Sequence, residues 1–186
     1  MKNPIDARIQ QLQTLVKGSS NLHINSALLD YSGIVEYYAQ ELVMTVKAGT
    51  PISEIKKQLK KNNQALSFYT NNDDMSIGAV YANGAQDISD SVLGVQIIDG
   101  TGALLNFGGQ VIKNVAGYDV ARLLVGSKGQ LAMVTQISFK VMPDTYVGKL
   151  NAAVKLENKS VLRTEIENKL KQVFDPRGYF NSVVLL

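Results

Sequence analysis

The alternation of apolar and polar positions divides the chain into short helices and strands. Ile5, Ile9, Leu12 and Val16 recur at helical spacing behind Asn3-Pro4, a cap and a first-turn proline, and predict an opening helix. Lys17-Gly18-Ser19-Ser20 is turn-forming and ends it, and Ser32-Gly33 predicts another turn. The Leu, Val and Met content of 41–46 predicts a strand. Thr50 as cap and Pro51 as first position predict a second helix, with Ile52, Ile55 and Leu59 as its buried stripe. Asn62-Asn63 and 69–74 read as loops. From Ser91 the pattern turns to β: strand 92–98, a hairpin turn at Asp99-Gly100-Thr101-Gly102, and a return over 103–107. Asp119 can cap a short helix carrying Val120, Leu123 and Leu124 on one face and stopped by Gly126.

The plainest strand is 131–141. Leu131, Met133, Thr135, Ile137, Phe139 and Val141 alternate with Ala132, Val134, Gln136, Ser138 and Lys140, and Pro143 ends the run. Residues 144–159 read as part strand and part linker. Ser160 then begins a last helix with Leu162, Ile166, Leu170 and Val173 on one side, ended by the turn Asp175-Pro176-Arg177-Gly178. Strands and helices without a regular βαβ alternation predict an α+β fold.

Composition narrows the class. A chain of 186 residues that is 45% hydrophobic and 19% charged can build a core, which excludes a disordered tail. A net charge of +3 does not call for a nucleic-acid partner, and Lys56, Lys57, Lys60 and Lys61 read as a solvated helix face. The sequence contains no cysteine, so disulfides, thiolate catalysis and Cys-held metal centres within this chain are excluded; with His23 the single histidine, no metal site is expected. Neither a secretory pattern nor a bilayer-length apolar run is present in these residues, and a soluble, cytoplasmic protein without membrane insertion is expected.

Glycine clusters carry the candidate chemistry. They are Lys17-Gly18-Ser19-Ser20; Met75-Ser76-Ile77-Gly78-Ala79 running on to Asn83-Gly84; Phe107-Gly108-Gly109 ahead of 113–119; and Gly126-Ser127-Lys128-Gly129. Glycine lets backbone amides approach a bulky anion and accepts positive φ. No GxxxxGK[ST] loop and no strand-to-helix GxGxxG occurs. Each cluster alone reads as readily as a turn or helix stop; together they suggest a nucleotide-like ligand.

The stretch FGGQVIKNVAGYDVARLLVGSKGQLAMVTQISFKVMP, with Tyr31-Ser32-Gly33-Ile34-Val35-Glu36-Tyr37, Ala48-Gly49-Thr50-Pro51 and the C-terminal Phe174-Asp175-Pro176-Arg177-Gly178-Tyr179-Phe180-Asn181, resembles the vanillyl-alcohol oxidase and p-cresol methylhydroxylase (PCMH-type) flavoprotein family, in its glycolate oxidase FAD-binding branch. The resemblance covers most of the chain. It implies FAD held non-covalently between two small α+β subdomains meeting near 70–75, with 1–143 as the FAD-binding domain. By position, Gly18, Ser19 and Ser20 would form a first phosphate loop, and Ser76, Ile77, Gly78, Ala79, Asn83 and Gly84 a second. Lys113, Asn114, Val115, Ala116, Gly117 and Tyr118 would line the flavin cavity, and Gly126, Ser127, Gly129 and the backbone from Val134 to Ile137 would enclose the other end of the cofactor. The implied partners are the flavoprotein and iron–sulfur subunits of a glycolate oxidase-like complex.

Departures from the family pattern matter as much. Ala79 and Ala132 stand where the family has glycine, and each added methyl predicts weaker FAD binding. The family's long substrate-capping domain is replaced by 144–159, with 160–186 a helix and tail docking back through Phe174, Tyr179 and Phe180. The cap supplies the acid–base groups, so no catalytic residue is assigned and the chain is not expected to turn over substrate alone. The reading is therefore an FAD-binding module of a 2-hydroxy-acid oxidoreductase. The alternatives are a degenerate structural subunit that binds partner chains without FAD, and a module for another nucleotide. His23 reads as a surface residue rather than a flavin attachment point, and Asp73-Asp74 as solvent-facing acids.

Overall fold

The computed structural model describes residues 6–85, 87–110, 119–145 and 161–180. Helix α1 (Ala7–Gly18) starts at Asp6, whose carboxylate accepts the Arg8 amide; the cap expected at Asn3-Pro4 lies outside the described residues. Ile9, Leu12 and Val16 form its buried stripe. A short α2 (Ile24–Leu28) follows, then β1 (Ile34–Tyr38), a 3₁₀ turn (Ala39–Glu41) and β2 (Val43–Lys47). The strand expected over 41–46 begins later because Leu42 takes the left-handed conformation, φ 58°, that closes the turn.

Helix α3 (Ile52–Lys60) buries Ile52, Ile55 and Leu59, as their spacing predicts. Thr50 does not cap it. The residue before the helix is Pro51, with no side-chain cap, and the Thr50 hydroxyl instead donates to the carbonyls of Lys47 (2.6 Å) and Gly33 (3.2 Å) and accepts the Gly33 amide at 2.9 Å. Next come β3 (Gln64–Leu66), α4 (Ile77–Asn83), α5 (Ile88–Ser91), β4 (Val92–Ile98), β5 (Leu104–Gly108), α6 (Val120–Leu123), β6 (Met133–Pro143) and α7 (Val161–Phe174).

Among the described residues the strands form one antiparallel sheet in the order β1-β2-β6-β4-β5, with β3 pairing the far end of β6. Strands from both sides of 70–75 therefore share this sheet, with β2 and β4 flanking β6. On β6 the odd-numbered Ile137, Phe139 and Val141 are fully buried while Gln136, Ser138 and Lys140 reach solvent. The main core packs this face against α3, α4, α5 and α6, with Phe68 and Phe139 edge to face at 5.7 Å between centroids. A second cluster joins α1, α2, Tyr31, Ile98, Met133 and Phe180.

The two ends of the described chain are fastened together. Asp175 is 2% exposed; its carboxylate accepts the Tyr179 and Phe180 amides, each at 2.9 Å, and the Lys171 ammonium at 3.0 Å. Arg177 donates to the carbonyls of Gly100, Val16 and Lys17, so one guanidinium caps α1 and clamps the β4–β5 turn. Gly100 is required there, since a Cβ would lie 2.6 Å from an Asp175 oxygen. Phe174 and Phe180 dock as expected, Phe174 edge-on to Phe107 and Phe180 fully buried. The stripe expected on α7 is different: Ile166 and Val173 are 47% and 70% exposed, because the helix packs through Leu170 and Phe174. On α6, Leu123 is 41% exposed and Ala121 takes its place in the core.

Candidate functional site

A cavity of about 320 Å³ lies between α2, the turn after β2, the start of α4 and the approach to β6. Its walls are Ile24, Leu28 and Leu29; Ala48, Gly49 and Pro51; Ser76, Gly78, Ala79, Tyr81 and Ala82; and Ser127, Gly129, Ala132 and Val134, with Asp74 beside them. Small side chains dominate, so backbone comes close to whatever occupies the space.

Local hydrogen bonding explains how these distant stretches meet. The Ala48 amide donates to Thr135 O (2.8 Å) and the Gly49 amide to Tyr31 O (2.9 Å), which pins the turn between β6 and the end of α2. Glycine is required at 49: a Cβ would stand 2.2 Å from Leu28 O and 2.7 Å from Tyr31 O. The starts of α3 and α4 are laced reciprocally. Ile77 N donates to Thr50 O at 2.9 Å and Gly78 N to Ala48 O at 2.8 Å, while Ile52 N and Ser53 N donate to Met75 O and Asp73 O, each at 2.9 Å. Ser76 caps α4 by accepting the Ala79 amide at 3.2 Å. At the other end of α4, Gly126 N and Lys128 N donate to Tyr81 O and Ala82 O, and this docks the 126–129 loop so that Ser127 and Gly129 reach the cavity.

Of the residues singled out in the sequence, Ser76, Gly78, Ala79, Ser127, Gly129 and Val134 converge on this space. Ile77 and Ile137 do not line it and are fully buried in the core. Asn83 and Gly84 sit at the far end of α4, where Gly84 forms the left-handed cap against Gly126. Gly126 faces a neighbouring cavity of about 430 Å³ between this loop and α7. Gly18 and Ser19 line a separate groove on α1, and Ser20 is exposed. Lys113, Asn114, Val115, Ala116, Gly117 and Tyr118 lie outside the described residues.

Sequence reasoning missed Ile24, Leu28, Ala48, Gly49, Tyr81 and Ala82 as wall residues; the signal for two of them was the Ala48-Gly49-Thr50-Pro51 run, a glycine turn before a helix-starting proline. Asp74 is exposed as expected and also borders the cavity, while Asp73 pairs with Lys56 at 2.6 Å. His23 is exposed at the start of α2. The Tyr81 phenol is pushed far up by burial, stays neutral and donates to Ala121 O.

For FAD the walls divide. Small residues on opposite sides of the space suit a flat ring stacked against backbone. The first-turn amides of α4, the expected phosphate cradle, are all engaged within the chain: Ile77, Gly78 and Ala79 each already donate to a protein oxygen. Among the described residues no helix is long and apolar enough to cross a membrane, and no cluster of His, Cys, Asp and Glu could hold a metal ion.

No protein-family model matches the chain. Over 123 residues it is 42% identical to glycolate oxidase subunit GlcE of Escherichia coli (strain K12), covering 61% of this chain and 35% of that subunit. Over 54 residues it is 43% identical to glycolate oxidase subunit GlcD of Bacillus subtilis (strain 168), covering 29% and 12% of the two chains. The chain thus spans about a third of the length of the first relative. Two solved structures of alkyldihydroxyacetonephosphate synthase share its fold, with TM-scores of 0.50 and 0.51 and sequence identities of 20% and 21%. Each covers 61% of this chain and less than a quarter of the solved one, at 23% and 22%. Over three fifths of its length, then, the chain is similar in sequence to a glycolate oxidase subunit and in fold to alkyldihydroxyacetonephosphate synthase.

Proposed function

We propose that the chain is the FAD-binding module of a glycolate oxidase-type, 2-hydroxy-acid oxidoreductase, a subunit that works only with partner chains. The observation that carries this is convergence: Ser76, Gly78, Ala79, Ser127, Gly129 and Val134, far apart in sequence and singled out for FAD, wall one cavity. The match to a glycolate oxidase subunit supports the substrate class. In this reading 1–143 is the FAD-binding domain, with two subdomains meeting near 70–75. Residues 144–159 link it, in place of the cap, to 160–186, which docks on it.

Bound FAD supplies the acceptor for the two electrons removed from a 2-hydroxy acid. The residues of this chain hold and orient it: Ala79, Ala82, Ala132 and Val134 flank the ring space, Gly49 and Gly129 keep backbone close, and Ser76 and Ser127 offer hydroxyls. No acid–base residue for substrate is assigned to this chain, so a flavoprotein subunit and an iron–sulfur subunit of a cytoplasmic complex are the proposed partners.

The test is an absorption spectrum of the purified chain before and after FAD titration and gel filtration. Flavin absorbance that travels with the protein is expected, together with no 2-hydroxy-acid oxidation until partner subunits are added. Failure to take up FAD overturns the reading; retention of a flavoprotein subunit in that case would leave the bracing role in its place.

A further inference from the structure

Strand β5 stands at one margin of the sheet and is paired on one side, by β4. The direction of its backbone groups follows from the ladder. Asp99 N donates to Ala103 O at 3.0 Å and Gly109 N to Leu93 O at 3.2 Å, which makes 99/103 and 93/109 hydrogen-bonded pairs. Bonded and non-bonded pairs alternate between antiparallel strands, so 97/105 and 95/107 are bonded too. Leu105 and Phe107 therefore give their amides and carbonyls to β4, while Leu104, Asn106 and Gly108 direct theirs away from the sheet. Among the described residues no backbone group meets that second set. The opposite margin is guarded: β1 carries Glu36 and breaks register between Ile34 and Glu36, and a charged, irregular edge pairs poorly with another chain. β5 has neither device. Its register against β4 is unbroken, and residues 103–110 contain no charge and no proline.

An outward set centred on one residue is complementary to itself. Placed antiparallel to a copy about a two-fold axis at Asn106, the strand sets Asn106 against Asn106 of the second copy, exchanging two N–H···O bonds, and brings Leu104 opposite Gly108. Leu105 then lies beside Phe107 of the second copy on the core-facing side, and no like charges within the strand meet across the axis. From this we propose that β5 is a homodimerisation edge, pairing with β5 of a second copy and joining two sheets into one. Five residues a side are fewer than the ~20–30 of a standard interface, so the dimer forms and dissociates reversibly with a Kd of about 1–100 μM.

Sedimentation velocity of the full chain from about 1 to 500 μM, with backbone amide exchange followed by NMR at both ends of that range, is the test. A monomer–dimer equilibrium is expected, with exchange at Leu104 and Asn106 slowed by about tenfold or more at the high concentration and exchange at Leu105 and Phe107, already bonded to β4, changed less. Asn106→Pro removes the central outward donor and leaves the ladder to β4 intact, as proline on a sheet edge does, and is expected to weaken association by about tenfold or more. If that variant melts early, Asn106→Lys takes its place; it sets two ammonium groups across the axis, and the loss should shrink as salt is added. A chain that stays monomeric over the whole range overturns the inference, including where an extended segment of a partner subunit takes this edge instead. A dimer of unchanged strength in a folded variant, or one whose new protection falls outside β5, overturns it as well. Should neither variant fold, the exchange pattern of the unmodified chain decides. FAD uptake is measured separately, and its outcome stands whichever way association falls.

Discussion

Asp6 holds the first turn of α1 by accepting the Arg8 amide at 2.9 Å, and that bond keeps its carboxyl below the ordinary value of 3.8, with Lys47 assisting. The charged form is the one stabilised by folding, so the contribution is complete above 3.8 and is lost as pH falls through the lowered folded value. Asp6→Ala is expected to cost about 1 kcal/mol at neutral pH, and the gap between variant and parent should close in acid; urea denaturation at several pH values measures it. Asp175 is the harsher case. It is buried with an ammonium and two amides on its oxygens, so Asp175→Ala strands all three and should cost about 3–5 kcal/mol. Asp175→Asn should recover only part of this, because a side-chain amide offers one acceptor oxygen where two are used. Gly49→Ala should fail by a different route: its methyl meets two carbonyl oxygens inside van der Waals distance, and a melting curve well below the parent's is expected.

At the scale of elements, α7 separates exposed from working apolar residues. Val173→Ser should change stability by less than about 0.5 kcal/mol, whereas Phe174→Ala, which removes a ring packed edge-on to Phe107, should cost about 3 kcal/mol in the same denaturation assay. The sequence pattern of α7 pointed the other way, because helical spacing groups Ile166 with Val173 but does not say which stripe meets the sheet. The legible elements were those whose period is long and whose environment is one-sided. Strand β4, bounded by a serine and a turn, stands where its pattern puts it, and β6, expected over 131–141, runs two residues later as Met133–Pro143 with its alternation of buried and half-buried residues clear from Thr135 on. Strand β1 carried no such signal: it is an edge strand with an irregular step between Ile34 and Glu36, so its burial follows no period of two. Thr50 misled because a threonine before proline looks like a cap; the end of β2 at Lys47 and the folded Gly33 loop together supply the partners its hydroxyl takes instead.

For the whole molecule, the site was half legible for a similar reason. Ser76, Gly78, Ala79, Ser127 and Gly129 announce themselves as small residues at turns, and the fold gathers them. Gly18-Ser19-Ser20 has the same composition and ends up on α1, since residue type reports what backbone can do but not where it is carried. Ile24 and Leu28 were silent because their role exists only after β2, β6 and α2 have come together.

The Arg177 clasp has a consequence for how such a chain is made. The guanidinium reaches carbonyls at Val16 and Lys17, 161 and 160 residues earlier. On a ribosome adding ~5–20 residues per second, the end of the first helix waits roughly 8–30 s for its capping group to emerge. Throughout that interval the last carbonyls of α1 are without the guanidinium that caps them in the folded chain.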